Sequence, residues 1–284
     1  MDIEKIGVIG AGAMGSGIAQ VAAQSGCRVV MQDVTEELVK RGVTSIDKFL
    51  TKGIERGKVT EEQKGQVLSR IVGTTRIEDL KDSDFVIEAV FEDVKVKQGV
   101  FEKVEGLVAP EVILCSNTSS ISITEIASAT KRPEKVAGMH FFNPAQIMRL
   151  VEVIRGYSSS DETIETVIDL AKKMGKEPVE VKKDSPGFIV NRILMPHFIE
   201  AIRIVEEGIA TVEDVDKAVK LGLNYPMGPF ELMDLTGNDI GYHVMEYLHN
   251  ELSRELKWFP PNLLKTLIRG GRLGRKTGGG WYDY

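Results

Sequence analysis

The chain has 284 residues, 42% of them hydrophobic and 27% charged, which is the composition of a folded globular protein. Its length allows one large domain or two modest ones, and its net charge of −6 argues against a general nucleic-acid-binding function. There is neither an apolar run long enough to span a membrane nor a visible secretory signal, and the two cysteines offer no metal-ligand spacing, so we expect a cytoplasmic protein without a metal.

Short apolar strands alternate with helical segments in the first part of the chain, which is typical of a parallel α/β sheet. The predicted strands are Lys5–Ile9, Arg28–Gln32, Phe85–Val90, Val112–Cys115, Val136–His140, Leu150–Ile154 and Glu177–Lys182. The predicted helices between them are Met14–Gln24, Glu36–Glu55, Asp93–Val108 and Asp161–Met174.

The pattern changes at Asp184-Ser185-Pro186-Gly187, after which the segments are helical. These helices are predicted over Phe188–Glu207, Val212–Leu221, Phe230–Glu255 and Asn262–Gly270. We therefore predict an α/β domain with a mostly parallel sheet over residues 1–184, followed by an all-α domain over residues 185–284.

A glycine-rich turn follows the first predicted strand. Its sequence, Gly10-Ala11-Gly12-Ala13-Met14-Gly15, is G-x-G-x-x-G between a strand and a helix. The first glycine permits a tight turn, the second lets a pyrophosphate approach the backbone, and the third lets the helix pack on the strand. We predict a Rossmann-type domain whose cofactor contacts include Gly10, Gly12, Ala13, Met14 and Gly15. An ordinary strand–helix turn is the alternative, and FAD is a competing ligand.

The second predicted strand leads to Asp33, about 20 residues after the glycine turn. A carboxylate there suits the ribose diol of NAD and repels the 2′-phosphate of NADP. Val34 and Thr35 follow, with no immediate arginine that would favour NADP. The sequence therefore predicts NAD as the cofactor.

His140 lies at the end of a predicted parallel strand, where catalytic groups gather in such sheets. Glu152 lies inside the apolar strand Leu150–Ile154, and a buried carboxylate needs a partner. A pair between them would orient the imidazole and raise its basicity. Oxidation of a secondary alcohol sends a hydride to NAD and a proton to a base, so we predict that His140 is the general acid–base. A purely structural role is the alternative, as we expect for His197, His243 and His249.

Seven segments, spread over nearly the whole chain, together resemble the 3-hydroxyacyl-CoA dehydrogenase family, and within it the short bacterial 3-hydroxybutyryl-CoA dehydrogenases. They are Gly10–Gly15, Ser116–Ser120, His140–Pro144, Leu150–Ile154, Ser185–Arg192, Pro226–Pro229 and Gly274–Gly278. The resemblance implies NAD-dependent interconversion of (S)-3-hydroxyacyl-CoA and 3-oxoacyl-CoA, with 3-hydroxybutyryl-CoA and acetoacetyl-CoA expected in butyrate or fatty-acid metabolism.

The same resemblance implies roles for individual residues. His140 is expected to be the acid–base and Glu152 its orienting partner, with Ser119 and Asn191 on the substrate oxygens. The expected NAD contacts are Asp33, Glu92, Lys97, Asn117, Ser119, Asn143 and Lys276. The family also implies a homodimer through the C-terminal domain. The net charge and the lack of a long apolar run predict no nucleic-acid or membrane partner.

A basic stripe lies on the predicted helix Glu36–Glu55 and its end, where Lys48, Lys52 and Arg56 recur at every fourth residue. Like charges at this spacing are mildly destabilising, and a bound polyanion would offset that cost. The resemblance puts the acyl-CoA site on this helix, so we predict that Lys52 and Arg56 bind coenzyme A. A solvated face balanced by neighbouring acids is the alternative.

Two other functions remain open from the sequence. A free β-hydroxyacid dehydrogenase shares the glycine turn and a helical second domain, but such enzymes use a catalytic lysine where this chain has His140 and Glu152. An NAD-binding structural protein of the lens-crystallin kind, which descends from this family, would not need the acid–base pair.

Overall fold

The computed structural model describes residues 3–284, and the chain divides into a first unit that ends at Asp184 and a second unit, Ser185–Tyr284. Across that described range, no helix is long and apolar enough to cross a bilayer. The α/β architecture followed by a helical region is confirmed.

One eight-stranded sheet forms the centre of the first unit, in the order β3-β2-β1-β4-β5-β6-β7-β8. Every neighbouring pair is parallel except β6 and β7, which are antiparallel. The strands are β1 Lys5–Ile9, β2 Arg28–Gln32, β3 Ile71–Thr74, β4 Phe85–Glu88, β5 Ile113–Ser116, β6 Val136–Phe141, β7 Leu150–Ile154 and β8 Glu177–Val181. The central strands are buried on both faces, which explains their continuous apolar sequences.

Within the described residues, the α-helices that accompany the sheet are α1 Ala13–Gln24, α2 Glu36–Glu55, α3 Glu61–Ser69, α4 Val94–Glu105, α5 Ile123–Ala127 and α6 Asp161–Lys173. Short polar side chains cap several of them. Thr35 caps α2, Asp93 caps α4 and Ser160 caps α6, each by accepting a backbone N–H from the first helical turn.

The second unit contains α7 Val190–Glu206, α8 Val212–Gly222, α9 Pro229–Thr236, α10 Asn238–Glu251 and α11 Asn262–Arg269. Our single predicted helix over Phe230–Glu255 is wrong, because Gly237 has φ 105° and separates α9 from α10. A positive φ of this kind ends a helix and favours glycine. The core includes Phe198, Ile202 and Phe230, whereas Ile193 is exposed.

Two buried aspartates hold the last residues of the chain within this unit. Asp234 accepts hydrogen bonds from the backbone N–H groups of Trp281 and Tyr282 at 3.0 and 2.9 Å. Asp216 accepts from Phe230 N at 2.8 Å and from the Tyr282 hydroxyl at 2.8 Å. Burial raises the pKa of Tyr282, and the hydroxyl's bond to Asp216 adds to that effect. These bonds fix Trp281 and Tyr282 on helices α8 and α9.

Candidate active site

The C-terminal ends of four neighbouring strands meet at one edge of the sheet. β1, β4, β5 and β6 are parallel neighbours. β1 leads into the glycine turn and β4 into the loop with Glu92, β5 ends at Ser116, and His140 is the last residue but one of β6. Residues far apart in the sequence are therefore brought to one edge, which is where open α/β sheets bind ligands.

The glycine turn has the shape that a pyrophosphate requires. Gly10 has φ 101°, and a Cβ atom there would lie 2.5 Å from the Ala89 carbonyl oxygen. A Cβ on Gly15 would collide with the Gly10 carbonyl oxygen, so the helix can pack closely only on glycine. At Gly12 an added Cβ would meet no described atom within 4 Å. That open space at the start of α1 fits a phosphate on a helix N-terminus.

A groove of about 700 Å³ extends from this turn and includes Asp33 in its lining. Asp33 Oδ2 accepts from Ala11 N and Oδ1 accepts from Val34 N, both at 2.7 Å. These bonds fix the carboxylate, and each oxygen can still accept a bond from a ribose hydroxyl. The site fits the adenosine half of NAD.

Arg76 also lines this groove, and the sequence analysis did not single it out. Arg76 follows β3, a strand that was not predicted. The sequence therefore did not indicate that Arg76 and Asp33 share a groove. The Arg76 guanidinium is largely exposed and lies 3.7 Å from Asp79. The Asp33 carboxylate and the Arg76 cation thus line the same groove.

His140 and Glu152 lie directly opposite each other across the antiparallel pair β6 and β7. His140 Nδ1 is 2.8 Å from Glu152 Oε2, and the two side chains are 7% and 1% exposed. The Phe142 ring packs against the imidazole, with 4.5 Å between ring centroids. The carboxylate therefore determines the direction of the imidazole and selects the tautomer with the proton on Nδ1.

Asn117 ties three strand ends together. Its backbone N–H donates to the Glu88 carbonyl at 2.7 Å, and its side-chain oxygen accepts from Phe141 N at 2.9 Å. Phe141 directly follows His140, so this bond fixes the backbone next to the imidazole. Asn143 is exposed in the loop that follows, whose carbonyls at Ala145 and Met148 accept from the buried Lys176 ammonium at 2.5 and 2.8 Å.

Glu92 and Ser119 are joined by direct hydrogen bonds. Glu92 Oε1 accepts from Thr118 Oγ1 at 2.6 Å, from Ser119 N at 2.9 Å and from Ser119 Oγ at 3.2 Å. Its second oxygen is 3.2 Å from the Lys97 ammonium. Burial by itself would raise the pKa of Glu92, but Lys97 and these hydrogen bonds outweigh it and lower the pKa.

Glu88 is a buried residue of this edge that sequence reasoning missed. It ends β4, is 1% exposed and pairs with Lys97 at 2.8 Å. The signal was present in the sequence, because Glu88 is an acid at the end of an apolar strand, as Glu152 is an acid within one.

The basic stripe is exposed on α2, on the side opposite the buried Ile46 and Leu50. Asp47, one of the acids that could have balanced it, pairs instead with Lys64 on α3 at 2.8 Å. The stripe therefore retains its positive charge at the surface.

The second unit contains two further predicted residues. Asn191 lies in the first turn of α7. Lys276 Nζ contacts both carboxylate oxygens of Asp239, at 2.6 and 2.7 Å. Burial by itself would raise the pKa of Asp239, but the Lys276 ammonium outweighs it and lowers the pKa.

Two family models match the chain. Residues 5–185 match the 3-hydroxyacyl-CoA dehydrogenase NAD binding domain, and residues 187–284 match the C-terminal domain of the same family. The 3-hydroxybutyryl-CoA dehydrogenase of Clostridioides difficile is 47% identical over 280 residues, which are 99% of each chain. That of Bradyrhizobium diazoefficiens is 47% identical over 99% of this chain and 96% of its own length. A crystal structure of (S)-3-hydroxybutyryl-CoA dehydrogenase from Ralstonia eutropha superimposes with a TM-score of 0.95 at 45% identity, covering 100% of this chain and 99% of that one.

Proposed function

The chain belongs to the 3-hydroxyacyl-CoA dehydrogenase family, and on that premise we propose that it interconverts (S)-3-hydroxybutyryl-CoA and acetoacetyl-CoA with NAD(H). The observation that carries the proposal is the 2.8 Å contact between His140 and Glu152 at the sheet edge that also holds the glycine turn. Similarity to dehydrogenases named for this substrate supports the choice of acyl group.

His140 moves the proton in this proposal. The bound nicotinamide supplies or accepts the hydride. Because Glu152 engages Nδ1, proton exchange with the substrate oxygen falls to Nε2. In the oxidative direction His140 takes the hydroxyl proton, and the Glu152 carboxylate stabilises the imidazolium that results. In the reductive direction the imidazolium returns the proton to the same oxygen.

Ser119 is proposed to orient the substrate oxygen. This proposal is supported by the hydrogen bonds that hold Ser119 in place, in which Glu92 Oε1 accepts from the backbone N–H and the hydroxyl of Ser119. Glu92, Lys97, Asn117, Asn143 and Lys276 are proposed as NAD contacts. Asn191 is proposed as a second substrate contact on the family resemblance alone.

The cofactor is NAD, as the match to an NAD-binding domain establishes, and we propose that Asp33 makes the selection against NADP. Its carboxylate accepts two backbone bonds and would face a 2′-phosphate with a like charge. The gap at Gly12 is the proposed place of the pyrophosphate.

Coenzyme A is proposed to bind the stripe on α2 through Lys52 and Arg56. Support comes from the exposure of the stripe and from the pairing of Asp47 with Lys64 rather than with the stripe. The phosphates of coenzyme A would offset the repulsion among these cations.

We propose a homodimer formed through the second unit, working in butyrate or fatty-acid metabolism in the cytoplasm. Large apolar side chains exposed in this unit support the interface: Ile193, Ile209, Leu221, Leu223, Ile240 and Leu256. A dimer interface would remove these apolar side chains from water. Light scattering coupled to size exclusion would test it, and a monomer would contradict it.

The function is tested by following NADH absorbance with acetoacetyl-CoA, with free acetoacetate as the matched control. Turnover of the thioester alone is expected. Preferential turnover of the free acid would support a β-hydroxyacid dehydrogenase, and binding of NADH without turnover of either would support a structural protein.

A further inference from the structure

Glu88 is a buried carboxylate at the centre of the strand-end cluster. Ser116 Oγ donates to its Oε2 at 2.6 Å, while Val90 N and Lys97 Nζ contact Oε1 at 2.7 and 2.8 Å. Ser116 is also its partner residue across β4 and β5. A buried charge is tolerated only when it is paired and hydrogen-bonded, and these three donors meet that condition.

Lys97 takes its direction from this carboxylate. The ammonium has three protons, and three acceptors surround it: Glu88 Oε1 at 2.8 Å, Glu92 Oε2 at 3.2 Å and the Val90 carbonyl at 3.4 Å. The side chain is 1% exposed, so water contributes little to its solvation. The two carboxylates together hold one cation between them.

Glu92 extends this series of contacts to Ser119. With one oxygen on Lys97, its other oxygen accepts from the backbone N–H and the hydroxyl of Ser119. These contacts close a ring, because Ser116, which ends β5 and donates to Glu88, and Ser119, which donates to Glu92, are three residues apart in the chain.

We propose that Glu88 is a positioning residue for the reaction, which acts through Lys97 and Glu92 to hold the Ser119 hydroxyl in place. This inference rests on the proposed function and deepens it, since Ser119 is the proposed substrate contact. In a Glu88→Gln variant, Lys97 would keep a single carboxylate partner. Glu92 would then be drawn toward the ammonium and away from Ser119.

A double-mutant cycle between Glu88 and Ser119 tests the proposal. Glu88→Gln is expected to lower kcat/KM for acetoacetyl-CoA by about tenfold in the wild-type background and by less than about twofold in a Ser119→Ala background. Glu102→Gln, on the exposed side of the same helix α4, is the matched control and should leave turnover unchanged. An equal fold-loss in both backgrounds would overturn the proposal.

Two further measurements separate positioning from mere stabilisation. The fall in melting temperature caused by Glu88→Gln should be similar in the wild-type and Ser119→Ala backgrounds, because only one hydrogen bond distinguishes them, whereas the loss of turnover should nearly disappear in Ser119→Ala. The dissociation constant of NADH, from fluorescence titration, should rise about fivefold, because Lys97 and Glu92 are proposed NAD contacts. An unchanged constant would contradict the link through Lys97.

Glu88→Asp keeps the charge and shortens the side chain by one methylene. If Glu88→Gln does not fold, the same cycle with Glu88→Asp decides the question by the same criterion. Wild-type turnover of acetoacetyl-CoA tests the proposed function separately, so failure of the cycle leaves that function standing.

Discussion

His140 Nδ1 lies 2.8 Å from Glu152 Oε2, across the one antiparallel pair of strands in a sheet that is otherwise parallel. The antiparallel step places the two residues in register, and both side chains are almost completely buried. A buried carboxylate in this position stabilises a positively charged imidazole, which is the species that an acid–base residue forms during turnover.

Replacing Glu152 tests the charge of this pair. Glu152→Gln keeps the shape of the side chain and removes its charge, so the imidazolium loses its stabilisation and the tautomer is no longer selected. We expect kcat to fall by about 10²-fold or more, as measured by NADH absorbance with acetoacetyl-CoA. Glu165→Gln, on the exposed side of α6, is the control and should turn over normally. Wild-type kcat in Glu152→Gln would refute the role of the charge.

Cofactor choice is expected to depend on Asp33 and Arg76 together. Asp33→Asn removes the charge that opposes a 2′-phosphate, so the affinity for NADPH relative to NADH should rise by about tenfold or more. Arg76 lines the same groove and would then pair with that phosphate. Adding Arg76→Met should cancel most of this increase in NADPH affinity and leave the affinity for NADH unchanged. Both affinities are measured by fluorescence titration. If the double variant keeps the increased relative affinity for NADPH, Arg76 does not bind the 2′-phosphate.

The lowered pKa of Glu92 predicts a dependence of stability on pH. The unfolded chain binds this proton more readily than the folded one near the ordinary value of 4.5. The contribution of Glu92 is therefore present above that pH and is lost as pH falls through the folded pKa. Urea unfolding of wild type and Glu92→Gln should give free energies that differ most near neutral pH and converge in acid. If the difference between the two free energies of unfolding grew as pH falls, the pKa of Glu92 would be raised and not lowered in the folded protein.

A change at Lys52 is predicted to alter KM for acetoacetyl-CoA and not KM for NADH. Lys52→Glu reverses a charge on the stripe and should raise KM for acetoacetyl-CoA by about three- to tenfold while KM for NADH stays unchanged. Lys40→Glu makes the same charge change about 18 Å away on α2 and serves as the control. Similar increases for both substrates would argue against a coenzyme A contact at Lys52.

The sequence predicted the strands and helices whose apolar patterns are strong. β1, β2 and β7 and helix α2 have the bounds that were predicted, because buried Val and Ile runs and a capped amphipathic helix leave clear signals. β3 was missed because it is short, contains Gly73 and is only partly buried. α3 was missed because its sequence, Glu61–Ser69, is mostly polar and buries one side chain.

The site was predictable where a residue stands out from its own segment. An acid within an apolar strand and a histidine at a strand end predicted a contact between Glu152 and His140, which the structure shows at 2.8 Å. Arg76 could not be predicted, because its proximity to Asp33 comes from the pairing of β2 with β3 and not from local sequence. The contact of Glu92 with Ser119 likewise depends on which strands are neighbours.

His140 transfers the proton in the proposed reaction, and the turnover of His140→Ala with acetoacetyl-CoA and NADH tests this role. His243→Ala, at an exposed position of α10, is the matched control. We predict that kcat of His140→Ala falls by about 10²–10⁴-fold while the dissociation constant of NADH, measured on the same preparation, is unchanged. A His140→Ala variant that keeps near-wild-type kcat would show that His140 does not transfer the proton.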